Sequence, residues 1–468
     1  MRILLVVPAG EHVRVKRDGD VPRRTMLRFG VLSLTTIAAL TPPEHEVTIC
    51  DENVEALDLD ADVDVVGVTL MTGTAPRGYE IAREFRARGK ATVAGGFHAT
   101  LNPEEAMRHF DAVVIGEAEG VWPGLLRDVE AGRLRRSYRR DPPGDLSDVP
   151  IPRRDLVEAK ARHYATVHAI QTGRGCRHAC RFCSVTAFHG GRHRSRPLEN
   201  VLEEIRRAPR DFMFIDDNII ADPDYARALF RAMTPLRKRW ISQCSIKIAD
   251  DAELLGLARQ AGCRGLFIGI ESVSAENLAA MDKGFNEIDR CVERVAVIRR
   301  QGIGVIAGMI VGMDGDDVSV FARTLEFLRK ARIDSLQLSI LTPLPGTPLH
   351  AEMKAAGRIA DFDWVHYDYR HVVIRPAQMT ARELQEGADW VYAQFYRLDR
   401  ILWRFARGLF TVGWMPALLS LKINLTYRYD NLREGVVGRD PAAKKGRVRG
   451  TMADGWSLRR PWRNPRTA

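Results

Sequence analysis

Cys176, Cys180 and Cys183 stand in a C-x-x-x-C-x-x-C spacing within TGRGCRHACRFCSVTAFHG, so three of the chain's seven cysteines fall in eight residues. Chance places three cysteines at that spacing in on the order of one chain in a thousand of this composition, so the group calls for a chemical explanation. Thiolates from one short loop reach three irons of a [4Fe-4S] cube and leave the fourth open. The amino and carboxylate groups of S-adenosylmethionine can chelate that open iron, which sets the sulfonium where an electron from the cluster breaks a carbon–sulfur bond. The alternative is zinc completed by His178, His189 or His193, although structural zinc usually draws on paired, separated ligand groups. Cys50, Cys244, Cys263 and Cys291 are scattered, and isolated cysteine packs as a small apolar residue.

Grouped thiols suit a reducing compartment. The opening MRILLVVP is apolar but runs into Pro8 and then charge, which reads as a buried first strand rather than a signal peptide, so a cytoplasmic location is expected. The 468 residues, 45% hydrophobic and 28% charged, predict two or three globular domains. Of the net charge of +10, the stretch from Leu432 to Ala468 carries +7, ten Lys or Arg against three acids. The basic excess is therefore mostly a tail property, and no nucleic-acid partner is expected.

The loop must be positioned by the elements around it. Residues 1–131 alternate apolar runs (RILLVVP, HEVTICDE, VDVVGVTLM, ATVAGG, DAVVIGE) with helical stretches at Val31 to Leu40, Arg77 to Arg88 and Val121 to Ala131. Continuous apolar strands suit a parallel sheet buried on both faces, here a five-stranded, doubly wound, Rossmann-like α/β domain. Ligands of such sheets sit at the carboxyl ends of the strands. Those ends carry TLMTGT, Gly95-Gly96-Phe97-His98 and Gly116-Glu117-Ala118-Glu119. No G-x-G-x-x-G follows the first strand, which disfavours a nicotinamide site. Residues 132–164, rich in Arg and Pro, read as a linker.

A second series over 165–345 (VHAIQTG, FMFIDD, WISQCSI, GLFIGIES, GVIAGMIVGM, SLQLSILTP) predicts a partial (β/α)6 barrel with catalytic groups at its strand ends. A helical extension is expected over 346–430 and a flexible basic tail over 431–468. Phe395, Leu398, Leu402, Phe405 and Leu409 recur at spacings of three and four, with Arg397, Arg400, Arg404 and Arg407 on nearly the opposite side. This basic amphipathic pattern fits interfacial docking, with Trp403 and Trp414 near the headgroups, or equally a cap packing its apolar face on the barrel. The following GLFTVGWMPALLSL is shorter than the ~20 residues that span a bilayer.

On these residues the chain resembles the radical SAM superfamily, with Phe182 in the aromatic slot before the last cysteine. The resemblance implies that Cys176, Cys180 and Cys183 ligate the cluster. It also implies that Asp216, Asp217, Asn218, Gln243, Ser245, Glu271 and Ser272, at later strand ends, bind the cosubstrate. TPLPGTPL from Thr342 to Leu349 looks like the end of the family's sixth strand. GGFHATLNPEE and IGEAEG make residues 1–131 look like the cobalamin-binding domain of one large branch. That likeness implies cobalamin contacts at Thr72, Gly95, Gly96, His98, Gly116 and Glu117. The D-x-H-x-x-G motif that supplies a histidine to cobalt elsewhere is absent, so His98 is expected as a turn or pocket residue, not an axial ligand.

The branch implies methylation of an unactivated carbon, in a lipid-like or secondary-metabolite substrate, with radical cyclisation or rearrangement as the alternative. It further implies a reducing partner such as flavodoxin or ferredoxin. A methylthiotransferase would need a second cysteine set in the first domain, where Cys50 stands alone. A non-catalytic cobalamin or iron–sulfur sensor would need an output module, and none is recognisable. The arginine stripe adds an expected peripheral contact with the inner face of the membrane, if its apolar side faces outward.

Overall fold

The computed structural model describes residues 1–11, 13–16 and 28–433, so the basic tail lies outside the described residues from position 434 onward. The first unit runs β1 (Arg2–Val7), α1 (Leu32–Leu40), β2 (Glu46–Asp51), β3 (Val65–Thr69), α2 (Ala75–Ala87), β4 (Ala91–Gly95), α3 (Gly96–Leu101), α4 (Pro103–His109), β5 (Ala112–Ile115), α5 (Trp122–Glu130) and β6 (Ser137–Arg139). Its strands are parallel in the order β2-β1-β3-β4-β5-β6. Alternate side chains of β1 serve opposite faces. Ile3 and Leu5 pack with Leu34 of α1 and Trp122 and Leu125 of α5, whereas Leu4 and Val6 pack with Ile81 and Phe85 of α2. Both faces are covered, which is why the strands read as unbroken apolar runs.

The sheet has six strands, not five, because β6 lies inside the stretch read as a linker. Ser137–Arg139 buries only Tyr138, and a three-residue strand carries no readable period. The same stretch supplies α6 (Asp155–Glu158).

The second unit runs β7 (Ala169–Ile170), β8 (Gly173–Arg174), α7 (Ser184–His189), β9 (Arg194–Ser195), α8 (Leu198–Arg207), β10 (Asp211–Phe214), α9 (Pro223–Met233), β11 (Arg239–Cys244), α10 (Ala252–Gln260), β12 (Cys263–Glu271), α11 (Ala275–Ala280), α12 (Ile288–Arg300), β13 (Gly304–Val311), α13 (Val320–Lys330), β14 (Ser335–Ile340) and α14 (Pro348–Ala355). Six parallel strands order as β14-β13-β12-β11-β10-β7, an open barrel in chain sequence, while β8 and β9 pair antiparallel around the cysteine loop. Asp222, Asp251 and Ser274 cap α9, α10 and α11 with side-chain oxygens, fixing where each return helix starts.

The extension carries α15 (Ala381–Phe395), α16 (Leu398–Thr411) and α17 (Trp414–Arg433). Helix α15 starts on a capping box of Thr380 and Glu383 and closes the open edge of β14. The Tyr392 hydroxyl donates to Leu338 O (2.7 Å) and accepts from Leu338 N (3.0 Å), and the Tyr396 hydroxyl does the same for Leu336. Two phenols thus satisfy an edge strand that would otherwise be open to pairing.

One expectation for this region needs correction, and one open pair of alternatives is narrowed. Residues between α14 and α15 are largely non-helical, because Asp361, Asp363 and Asp368 each accept from a backbone N–H two residues on, local turns that compete with helix. The amphipathic stretch, for its part, breaks at Arg397 and is turned outward. Leu398, Leu402 and Leu409 are exposed while Arg404 is buried, donating to Phe395 O (2.9 Å) and stacked 3.9 Å over the Phe395 ring. Phe395 packs in the barrel core and α16 reaches that core through Ile401, so the exposed leucines are not the residues that seat this helix.

Candidate active site

Thr172 and Gly173 start the cysteine loop, and Asp216 anchors them. Its carboxylate accepts from Thr172 N (3.0 Å), Thr172 Oγ1 (2.6 Å) and Gly173 N (2.8 Å), and burial pushes its pKa up to about 7 against those bonds. Asp217 accepts from Gly175 N at 3.0 Å. The loop then brings Cys176, Cys180 and Cys183 to one cleft of ≈ 170 Å³ at the C-terminal ends of β10, β11 and β12. Of the strand-end residues singled out from sequence, Asp217, Asn218, Gln243, Ser245 and Glu271 line this cleft with Phe182. Asp216 and Ser272 do not: Asp216 holds the loop start, and Ser272 Oγ accepts from Ser274 N (3.1 Å) at the entry to α11.

Of the histidines proposed as a fourth zinc ligand, His193 and His189 are engaged outside the cleft, whereas His178 lines it. His193 bonds Gly175 O (3.1 Å) and Ser195 Oγ (3.2 Å). His178 stacks on Phe285 at 3.8 Å, and His189 lies 3.8 Å from Glu117. Three thiols from one loop in one cleft suit a cluster with one open iron, whereas structural zinc usually draws on paired, separated ligand groups. Burial raises the Cys176 thiol and pushes Cys180 up to about 12, so ligation to cationic iron displaces a proton there.

Several cleft residues carried no signal in the sequence. Lys283, in the loop after α11, forms a 2.5 Å ion pair with Glu271 and lies 5.8 Å from the Phe182 ring centre. Burial opposes its ammonium, but Glu271 and then Cys180 outweigh that and hold its pKa above the ordinary lysine value. Glu271 sits at a register shift of β12 and has φ +72°, an uncommon conformation for a non-glycine residue that aims its carboxylate off the strand. A second chamber of ≈ 160 Å³ shares Phe182, Cys183, Phe267 and Glu271 with the cleft and extends to Met309, Gln337, Ser339 and Tyr369.

The first sheet faces the barrel with its own strand ends. Phe97 of α3 meets Phe188 of α7 at 4.7 Å, and Trp364 Nε1 donates to Glu105 at 2.8 Å. At Gly95 and at Gly116, which has φ +85°, an added Cβ would meet nothing within 4 Å. These two strand ends form an open cradle that a large planar ligand could approach along the main chain. Gly96 differs: with φ +92°, its Cβ would lie 2.9 Å from Leu70 backbone atoms.

His98 is buried, with Nε2 2.9 Å from the Tyr79 hydroxyl and Nδ1 3.4 Å from Thr72 Oγ1. Both ring nitrogens have partners within the fold. Glu117 forms an ion pair with Arg194 (2.5 Å) and another with Arg174 (3.3 Å), and Glu119 pairs with Arg174 (2.6 Å). These carboxylates join the two units.

A cluster-type thiol cleft facing a glycine-lined Rossmann-like sheet defines a radical SAM enzyme with an attached B12-binding domain. Residues 170–328 match the Radical SAM superfamily and residues 30–126 match the B12 binding domain. The chain is 30% identical over 384 residues to bacteriochlorophyllide d C-12(1)-methyltransferase of Chlorobaculum tepidum, covering 80% of this chain and 84% of that relative. It is 27% identical over 347 residues to hopanoid C-2 methylase of Rhodopseudomonas palustris, covering 70% of this chain and 65% of that one. Its fold is that of the radical S-adenosylmethionine methyltransferase TsrM from Kitasatospora setae, solved with cobalamin and a [4Fe-4S] cluster (TM-score 0.62, 18% identity, 92% of this chain and 99% of that chain). The chain belongs to the cobalamin-dependent radical SAM methyltransferase family.

Proposed function

We propose that the protein methylates an unactivated carbon of a neutral, largely apolar small molecule seated in the chamber beside the three cysteines. The observation that carries this reading is the shared wall of cleft and chamber at Phe182, Cys183, Phe267 and Glu271. The chamber's walls combine Phe182, Phe267, Met309 and Tyr369 with the uncharged hydrogen-bonding groups of Gln337 and Ser339, and include no Lys or Arg. Its one acid, Glu271, is already paired with Lys283. An anionic substrate group would find no counter-charge there, and burying an unpaired charge is costly.

Cys176, Cys180 and Cys183 are assigned to the cluster, and the cradle at Gly95 and Gly116 to cobalamin. When bound, the cluster supplies the electron that cleaves S-adenosylmethionine, and cobalamin carries the methyl group. The chain's part is placement and exclusion of water. Asn218 Oδ1 is taken by Ser245 N–H (2.9 Å), which directs the remaining Asn218 amide hydrogens, with Gln243 and Asp217, to the cosubstrate. The Glu271–Lys283 pair offers one charge to each end of its amino-acid moiety.

A small electron-transfer protein such as flavodoxin or ferredoxin is the proposed reductant. No described helix is long and apolar enough to cross a membrane, and the exposed aromatic face of α16 and α17 supports peripheral contact with a bilayer.

The test is product analysis of the anaerobically reconstituted protein with a lipid extract and methyl-labelled S-adenosylmethionine. Near-equal 5′-deoxyadenosine and S-adenosylhomocysteine, with label in the product, are expected. 5′-Deoxyadenosine alone, with no methyl gained, would assign cyclisation or rearrangement instead.

A further inference from the structure

The barrel has a second large opening at the end away from the cysteines. There the N-terminal ends of β10, β11 and β12 and the start of α17 enclose a cleft of ≈ 690 Å³, well inside the ~300–1,000 Å³ range of small-ligand sites. Its inner wall is Phe212, Trp240 and Ile241, and its outer wall is Trp414, Met415, Leu418 and Leu419. Two of the outer residues, Trp414 (64% exposed) and Leu418, also belong to the molecular surface. The cleft therefore opens to the surface, and Trp403 and Phe410 (91% exposed) on the preceding helix α16 are exposed as well.

The charges in this cleft are unequal. Arg239 is paired with Asp211. Arg264 donates from Nη1 to Cys263 O (2.8 Å) and has no ion pair among the described residues. It is half-buried, and burial followed by the neighbouring charge of Arg259 lowers its pKa. The fold thus holds a partly desolvated cation on an apolar wall, which is costly until an anion completes it. Lys422, exposed at the rim on α17, adds a second positive charge. A wholly apolar occupant would leave Arg264 uncompensated, and a soluble anion would leave the apolar walls uncovered.

We propose that this cleft binds one anionic membrane phospholipid, its acyl chain against Phe212, Trp240 and Leu419 and its phosphate beside Arg264 and Lys422. Trp403, Phe410 and Trp414 then lie in the interfacial layer of the bilayer, where aromatic rings are favoured. The inference rests on the peripheral-contact reading and names the site within it. It also separates two roles: the cysteines stand at the opposite strand ends, so the lipid anchors the enzyme without occupying their cleft.

The test uses the reconstituted full chain and monomeric dioctanoyl phosphatidylglycerol, titrated calorimetrically beside dioctanoyl phosphatidylcholine and inorganic phosphate. One phosphatidylglycerol per chain is expected, with neither comparison ligand matching it. Arg264→Gln should weaken binding about tenfold or more, as for loss of one charge-assisted contact, and Leu419→Trp should fill the cleft and abolish it. Iron content and thermal midpoint should hold in Arg264→Gln, which decides the matter if the bulkier variant misfolds. The pair Trp403→Ser and Phe410→Ser should lose sedimentation with phosphatidylglycerol vesicles yet keep monomeric lipid. Equal binding of phosphatidylcholine, or unchanged binding in Arg264→Gln, overturns the proposal. Vesicle binding without monomeric lipid binding would keep the peripheral contact and remove the cleft from it. Concentration-dependent dimerisation without lipid binding would give the face to a second copy of the chain.

Discussion

Two six-stranded parallel sheets end in this molecule in opposite ways. At the barrel's strand ends the reactive side chains point into shared space: three thiols, Asp217, Gln243, Ser245 and the Glu271–Lys283 pair line one cleft. At the first sheet's ends the polar side chains are spent within the protein. Thr72 and Tyr79 hold His98, and Glu117 and Glu119 hold Arg194 and Arg174. Gly95 and Gly116 face open space there. The barrel is built to bind through ligands and charge, the sheet through shape and main chain. Substitutions should separate the two modes.

The largest effect is expected at the thiols. Cys180→Ala should lower iron from about four per anaerobically reconstituted chain and abolish cleavage of S-adenosylmethionine. Cys263→Ala, in the barrel core, should keep both, as measured by iron analysis and 5′-deoxyadenosine yield. Retained iron in Cys180→Ala would remove the thiol mode from the comparison.

A smaller and differently shaped effect is expected at the cradle. Gly95 has φ −146°, ordinary extended backbone open to any residue, so Gly95→Leu tests space without strain. Bound cobalamin after gel filtration should fall at least severalfold while iron content stays whole. Undiminished cobalamin would show that the ligand does not approach at this strand end.

Smaller still is the effect of loosening the joint between the sheets. Glu117 is mostly buried between Arg194 and Arg174. Burial opposes its ionisation, but the bond from Arg194 and the charge of Arg174 outweigh that and keep its pKa below the usual carboxylate value. Glu117→Gln should cost about 3 kcal/mol in denaturant unfolding, as when one partner of a buried pair is lost. Methyl transfer, which needs both sheets, should fall more than cosubstrate cleavage, which needs one.

The same contrast explains what could be read from sequence. The barrel's six strands and its cysteine loop were legible because each strand is a bounded apolar run with a polar residue at its end. Lys283 was not, since it enters the cleft from an aperiodic loop whose path depends on the Asn286 amide bonding Gly269 O and Ile270 O. Asp216 looked like a cleft residue because, like Asp217, it is a polar residue ending an apolar strand, and sequence cannot show which of two adjacent carboxylates turns to the Thr172 backbone. The amphipathic stretch was legible in its period but left two directions open, outward to an interface or inward on the barrel. Burial of Arg404 is set by the Phe395 ring and carbonyl and by Asn424, partners on α15 and α17 that no helical wheel contains.

The smallest effect on cofactor chemistry is expected at His98, a buried histidine of the first unit whose type suggests a metal ligand. In the fold it serves a chain of contacts through the Tyr79 hydroxyl to Glu105 (3.0 Å) and on to Trp364. Burial pushes its pKa down to about 4, with Glu105 opposing only in part. The depressed value belongs to a base, so the unfolded chain takes up a proton as pH falls below about 6.5 while the folded one does not until about pH 4. Stability contributed by the neutral ring is therefore present above pH 6.5 and lost across that window, by roughly 3 kcal/mol for a shift of this size. His98→Asn keeps a short polar side chain and should flatten that part of the stability profile, read by denaturant unfolding at pH 7 and pH 5. His189, also pushed to about 4 by burial, should leave a residual slope. The visible spectrum of bound cobalamin should stay unchanged in the same variant. A shift in cobalt coordination would mean that His98 leaves Tyr79 for the metal, and the first sheet would then bind by ligand as the barrel does.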